Sequence, residues 1–255
     1  MSLIRITLVA AALLSAACAR RPVPLRIAAA ADLRYALDDV TKAFRQRNGD
    51  VAIEPAYGSS GTFYAELLNH APFDLYLSAD LEYPRKLAAQ GLIQPGSEFT
   101  YAVGRIVLWT GRASGIDVER LQIGALSLPA VHHIAIANPR HAPYGRAAEA
   151  ALHSLGVYDA VKDKLVMGEN ISQAFQLVAS GAAEVGIVAL SLTQAPGAAG
   201  HGRYWVVSQD AYPRLEQGGC ILQWARNPAA AQAFRAFLLA PEGRAILKRY
   251  GFSGD

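Results

Sequence analysis

Four short stretches of this 255-residue chain place small or polar residues where a helix is about to start: Ala31-Asp32, Ser59-Ser60-Gly61, Pro143-Tyr144-Gly145 and Asn170-Ile171-Ser172. The chemistry open to such places is anion binding. The first turn of a helix carries N–H groups without helical partners, and the helix dipole is positive at that end. Several such ends aimed at one point would hold an oxyanion without a lysine or arginine. Taken singly, each stretch is equally a plain helix cap. Only convergence makes them a site, and spacing along a chain does not reveal convergence.

Other chemistries are poorly served. Gly58-Ser59-Ser60-Gly61 lacks the GxSxG spacing of a hydrolase nucleophile elbow. Six histidines are present, but none forms HExxH. His132 and His133 are adjacent in a strand and point to opposite faces, a poor arrangement for joint metal ligation. Neither a P-loop nor a GxGxxG motif occurs. No enzyme activity, cofactor or direct metal ligation is therefore expected, and a secreted hydrolase with dispersed residues is the remote alternative. The two cysteines, Cys18 and Cys220, make neither a CxxC pair nor a zinc cage. The net charge is +3 with no long basic run, so nucleic acid is not the expected partner.

Apolar residues make up 52% of the chain and charged residues 18%, a globular composition. Mean hydropathy is only +0.17, too low for a polytopic membrane protein. The N-terminus reads as an address. Arg5 precedes the short apolar stretch Ile6–Ala17, and Ala17-Cys18-Ala19 fits a small-x-small cleavage site. Residues 1–19 are expected to be a secretory signal peptide, with lipidation of Cys18 as the alternative. Either way the protein leaves the cytoplasm. Once Cys18 is removed, Cys220 is left as an apolar core residue.

The elements that must position the four helix starts follow a strand–helix alternation. Leu25–Ala30 reads as a buried strand, followed by a helix carrying Leu33, Leu37, Val40 and Phe44, with Asp32 placed as its N-cap and Arg47-Asn48-Gly49 as its stop. Val51–Ile53 and Phe73–Leu77 read as strands, and residues 60–68 and 82–90 as helices. The second half repeats this pattern. Strands are expected at 104–109, 133–137, 164–167, 185–189 and 204–207, and helices at 145–154, 171–180 and 229–250, the last broken near Pro241-Glu242-Gly243. Alternation of this kind implies α/β lobes with mostly parallel sheets covered by helices. With no disordered linker, two lobes should be joined by crossing strands, with a cleft between them. Lobe one is expected at residues 24–103 plus 214–255 and lobe two at 104–213.

Several stretches also resemble a known family. They are Ala28-Ala29-Ala30-Ala31-Asp32-Leu33, Gly58-Ser59-Ser60-Gly61-Thr62, Ala71–Asp80, Ile136–Arg146, Gly168-Glu169-Asn170-Ile171, Gly186-Ile187-Val188, and the C-terminal Pro241-Glu242-Gly243 and Lys248–Phe252. In this order they are similar to the periplasmic molybdate-binding proteins of ABC importers, the ModA family of type II periplasmic binding proteins. The resemblance implies the two-lobe type II fold and a periplasmic solute-binding protein, a monomer. It would bind molybdate or tungstate as the oxyanion and hand it to an inner-membrane ABC permease with its cytoplasmic ATPase.

Carried over residue by residue, the family's oxyanion contacts fall at Asp32, Ser60, Tyr144, Ile171 and Ala189. Ser60 is intact and would give its hydroxyl and N–H, and Ile171 would give an N–H. Tyr144 occurs in some members and could supply the phenol that Ala189 lacks. Asp32 departs from the family's serine or threonine. A carboxylate beside a dianion is repulsive. Three readings of Asp32 follow: a cap whose N–H still faces the ligand, an acceptor for a protonated oxyanion such as phosphate or arsenate, or a partner for a ligand with a cationic part such as a metal complex. Asp74 and Asp80 are expected as caps or hinge contacts, and His141 and Arg146 at the cleft rim or as loop supports.

Overall fold

The computed structural model describes residues 23–49 and 51–254. The expected signal segment 1–19 and Cys18 lie outside the described residues. The strands are β1 (Leu25–Ala30), β2 (Ile53–Gly58), β3 (Leu75–Ser78), β4 (Phe99–Gly104), β5 (Ile106–Gly111), β6 (Ile134–Ala137), β7 (Leu165–Gly168), β8 (Val185–Ala189), β9 (Gly202–Val206) and β10 (Leu215–Ile221). The helices that matter for the site and its support are α1 (Arg34–Asn48), α2 (Ser60–Leu67), α3 (Glu82–Ala89), α4 (Pro143–Ser154), α5 (Ile171–Ala179), α6 (Leu190–Thr193), α7 (Pro228–Leu239) and α8 (Pro241–Arg249).

β1 is buried along its length apart from Arg26, the pattern of a strand covered on both faces. It stands in a five-stranded sheet of order β2-β1-β3-β10-β4. β1 pairs in parallel with β2 and β3, while β10 runs antiparallel to both β3 and β4. β10 alone therefore opposes the other four. The second sheet has order β7-β6-β8-β5-β9 and repeats the plan, with β5 the single opposed strand. Both sheets are mixed and mostly parallel, and helices flank them.

The chain passes from the first sheet to the second at Arg105, between β4 and β5, and returns through residues 207–214, between β9 and β10. The two crossings are tied to each other, because the Ile106 N–H donates to the Tyr212 hydroxyl at 3.3 Å. The carbonyl of Arg105 accepts from the N–H of Leu190 at 2.9 Å, which anchors α6 beside the crossing. The C-terminal helices return to the first sheet. Phe44 of α1 meets Phe234 and Phe237 of α7 edge-on, with centroids 5.2 and 5.6 Å apart.

Several strands depart from the expected ones. β4 and β5 are separated by one residue, so the run read as a single strand at 104–109 is the start of a new strand in the other sheet. β10, which has no counterpart among the expected strands, carries Gly218-Gly219, a pair that favours turns. These glycines serve close approach instead. A Cβ on Gly219 would sit 2.6 Å from the Phe99 ring and 2.7 Å from the Tyr76 carbonyl oxygen. β2 is also displaced, starting at Ile53 and running on to Gly58. Cys220 is buried, as expected of a core residue, and burial pushes its thiol pKa up.

Phe44→Ala should cost about 3–5 kcal/mol, the range for losing a large buried aromatic. Equilibrium urea unfolding checks this: the midpoint should fall with little change in slope. A loss below about 1 kcal/mol would show that α1 does not depend on α7.

Candidate functional site

Four helix starts reach one place. Ser60 is the first residue of α2, behind the extended Ser59. Pro143 opens α4 and fixes its first turn, so Tyr144 is the second helical residue. Ile171 opens α5, where Asn170 Oδ1 accepts from the Gln173 N–H at 3.0 Å and fixes the cap. Ala31 and Asp32 lie in a 3-10 turn, Ala31–Leu33, that leads into α1. Asp32, Ser60, Tyr144 and Ile171 line one small cavity of about 10 Å³ between the lobes. Pockets for drug-sized ligands run to about 300–1,000 Å³, so this space, as closed here, excludes anything of that size. No Lys, Arg or His is among the residues that line it.

Ser60 is held from two sides. Its Oγ accepts the Ala79 N–H at 2.9 Å, and its carbonyl accepts the Tyr76 hydroxyl at 2.7 Å. With a lone pair of Oγ taken by Ala79, the Ser60 proton is left to be donated to an anion. Ala189, the fifth residue carried over from the family, closes β8 and is fully buried, but it is not among the lining residues.

Asp32 does not cap α1. The residue before α1 is Leu33, and no side chain caps it. The 3-10 turn comes first, which puts Asp32 inside a helical turn and frees its carboxylate to turn inward. Asp32 is 1% exposed. Its Oδ2 accepts from the Tyr144 hydroxyl at 2.9 Å and from Gln217 Nε2 at 2.6 Å, and Gln217 Nε2 also reaches the Tyr144 oxygen at 3.0 Å. Burial raises the Asp32 carboxyl pKa to about 6, against the lowering effect of Gln217 and Tyr144. The Tyr144 phenol is pushed well up by burial and by the Asp32 charge, so it stays protonated. Its proton is directed at Asp32, whereas its N–H is in the first turn of α4. Arg34 offers Asp32 no compensation: it is exposed and stacks on the Tyr57 ring, 4.9 Å from its centroid.

Gln217 went unread in the sequence because β10 did. A bulge falls between Gln217 and Gly218 in the pairing with β4. Bulges re-aim side chains, and this one accompanies a fully buried glutamine directed at Asp32. Gly104 makes room for the group, since a Cβ there would run into the Tyr144 hydroxyl and Gln217 Nε2. Ser191, also unread, donates its hydroxyl to the Asp32 carbonyl at 2.8 Å.

The rim is clasped across the lobes. The His141 carbonyl accepts from the Gly61 N–H at 2.9 Å and from Ser59 Oγ at 2.5 Å, and its Nδ1 lies 3.1 Å from Ser59 Oγ. Arg146 reaches Asp80 at 2.5 Å and the Tyr83 hydroxyl at 3.2 Å. The other Asp80 oxygen accepts the Glu82 N–H at the start of α3. Asp74 holds backbone N–H groups of Arg26, Arg226 and Asn227, tying β1 to the segment before α7.

A carboxyl whose pKa rises from 3.8 to about 6 on folding opposes folding when ionised. The penalty is absent below the lower value, grows as pH rises between the two, and is complete above about 6. Asp32→Asn should therefore stabilise the unliganded protein by about 3 kcal/mol at pH 8 and by about half as much at pH 5. Denaturant unfolding at the two pH values checks this. An effect independent of pH would mean that the folded state carries no buried Asp32 charge.

Compared with known proteins, residues 25–253 match the family described as bacterial extracellular solute-binding protein. The chain is 40% identical to the molybdate-binding protein ModA of Rhodobacter capsulatus over 88% of its length and 86% of the relative's. It is 39% identical to the ModA protein of Azotobacter vinelandii over 92% of each. In structure it resembles the Azotobacter vinelandii periplasmic molybdate-binding protein, with a TM-score of 0.84 and 33% identity, covering 91% of this chain and 99% of that one.

Proposed function

Because this chain belongs to the ModA molybdate-binding family within the bacterial extracellular solute-binding proteins, we propose that it captures molybdate or tungstate outside the cytoplasm and delivers it for import. The observation that carries this reading is the meeting of four helix starts at one small cavity without a lining cation. Such a site favours an anion through N–H dipoles, and it attracts a dianion without fixing a counter-charge beside it.

In this reading Ser60 donates its hydroxyl and N–H. Asp32, Tyr144 and Ile171 contribute first-turn N–H groups, and Ala189 supports β8 behind the cavity. The oxygens of the anion are held, and no residue ligates the metal itself. No bond is made or broken, so the protein is a carrier and not an enzyme. Asp32 and Ser60 come from lobe one (residues 24–103 plus 214–255), Tyr144 and Ile171 from lobe two (residues 104–213). A ligand bridging them shifts an open–closed equilibrium toward the clasped form. The closed monomer is read by an inner-membrane permease that works with a cytoplasmic ATPase. Residues 1–19 are the secretory signal, removed after Ala19, with a lipid anchor on a retained Cys18 as the alternative. Among the described residues, no helix is long and apolar enough to cross a membrane.

Thermal unfolding of the mature protein in molybdate, tungstate, sulfate, phosphate, arsenate and chromate tests the reading. A ligand bound only by the folded state raises the melting temperature by mass action. Molybdate and tungstate should give the large shifts, and equal shifts with sulfate or phosphate would reject the assignment. Ser60→Ala should weaken molybdate by about 1–3 kcal/mol, or roughly 5- to 150-fold in Kd by calorimetry. Unchanged affinity would remove Ser60 from the site.

A further inference from the structure

Two buried side-chain oxygens in the cleft are without a hydrogen-bond partner: Asp32 Oδ1 and Gln217 Oε1. They belong to two groups already joined at their other ends, Gln217 Nε2 to Asp32 Oδ2 at 2.6 Å. With Asp32 ionised, both orphans are acceptors and neither can satisfy the other. One proton on Oδ1 changes this. It turns the carboxylate into an acid with a donor to offer, and the amide it already meets has an acceptor lacking a donor. Two unsatisfied buried acceptors in one joined pair are what a carboxylic acid–amide pair leaves behind when its shared proton is removed.

We infer that Asp32 is a proton-linked positioning residue: when the dianion enters, Asp32 takes up a proton from solvent and holds the Gln217 amide and the Tyr144 hydroxyl as a neutral acid. The inference rests on the oxyanion reading of the cavity. It resolves the conflict that a carboxylate raises at a dianion site, because the charge leaves when the ligand arrives. Nothing else facing Asp32 does this. The groups packed on it are Tyr144 from α4, Gln217 from β10 and Ser191 from α6, the backbone N–H groups of Asp32 itself and Leu33 favour its charged form, and the Tyr101 phenol on β4 also feels its charge. Tyr212, in the returning crossing, acts on Tyr144. All three phenols are pushed upward by burial, and no cation lines the cavity.

In the unliganded protein burial, partly offset by the hydrogen bonds the carboxyl accepts, puts it near 6, so at pH 7.5 it is mostly ionised. A dianion beside it raises that value further. Affinity should then be flat below about pH 6 and fall by about tenfold per pH unit above it, up to the pKa of the liganded state.

The test is calorimetry of the mature protein with sodium molybdate at pH 7.5 in two buffers of different ionisation enthalpy, repeated from pH 6 to 9. Uptake of about one proton per molybdate is expected. It should vanish in Asp32→Asn, whatever affinity that variant keeps, and persist in His141→Gln, which removes the imidazole at the rim. Zero uptake by the native protein overturns the inference while leaving molybdate binding in place. Uptake that survives Asp32→Asn, or is lost in His141→Gln, assigns the proton elsewhere and overturns it too. No binding heat with molybdate takes down the functional reading itself, and this inference with it.

Discussion

A small anion can be held without a neighbouring cation only where several N–H groups point at the same volume, and one helix offers only a few in a useful direction. The rest of this molecule follows from that constraint. Helix starts lie at the C-terminal ends of strands, so one mostly parallel sheet presents two of them, after β1 and after β2. A second sheet of the same plan presents two more, after β6 and after β7. Facing the two sheets supplies donors from opposite sides, and it also makes the site divisible. The cavity exists only when the lobes meet, which turns binding into closure.

The contacts that close it are of three kinds. Backbone and hydroxyl bonds join Ser59 and Gly61 to His141, an ion pair joins Asp80 to Arg146, and a buried polar group joins Asp32 and Gln217 to Tyr144. The ion pair is partly exposed and contributes little, about 0–1 kcal/mol. The buried group has larger consequences in both directions. Satisfied, it specifies one closed arrangement. With two of its oxygens unpaired it works against closure. The same three side chains that bring the lobes together therefore also hold the energy that can keep them apart.

Much of this was legible in the sequence, and the omissions have physical causes. Each helix start was readable from its small and polar residues, and the apolar runs gave most strands within a few residues. The convergence of the starts was not readable, because it is set by strand order, which links β3 to β10 across more than a hundred residues. β10 is hidden because Gly218 and Gly219 favour a turn where they serve close packing, and Gln217 is hidden with it. By position alone Asp32 fits a cap, one of its three readings, because acids often precede helices. The 3-10 turn at Ala31–Leu33 moved it one register inward, from the helix entrance to the lobe interface. Local propensity and tertiary placement disagree at this residue, and such disagreement marks positions kept for function rather than for folding.

A solute-binding protein must close on its ligand and still release it, so the closed form cannot be strongly favoured when empty. A cavity lined only by N–H dipoles and hydroxyls gives weak reason to close without an anion, and an ionised buried Asp32 gives a reason to open. A dianion reverses both terms: it satisfies the donors from both lobes, and it favours the neutral form of the carboxyl that opposed them. The ligand shifts the equilibrium only by its differential affinity for the two states. Placing a titratable acid between the lobes enlarges that difference without adding any contact to the anion. The departure of Asp32 from the serine or threonine pattern is then consistent with the oxyanion reading. It changes how empty and filled forms are told apart; the backbone N–H at this position is kept, and the hydroxyl that a serine or threonine would donate is given up.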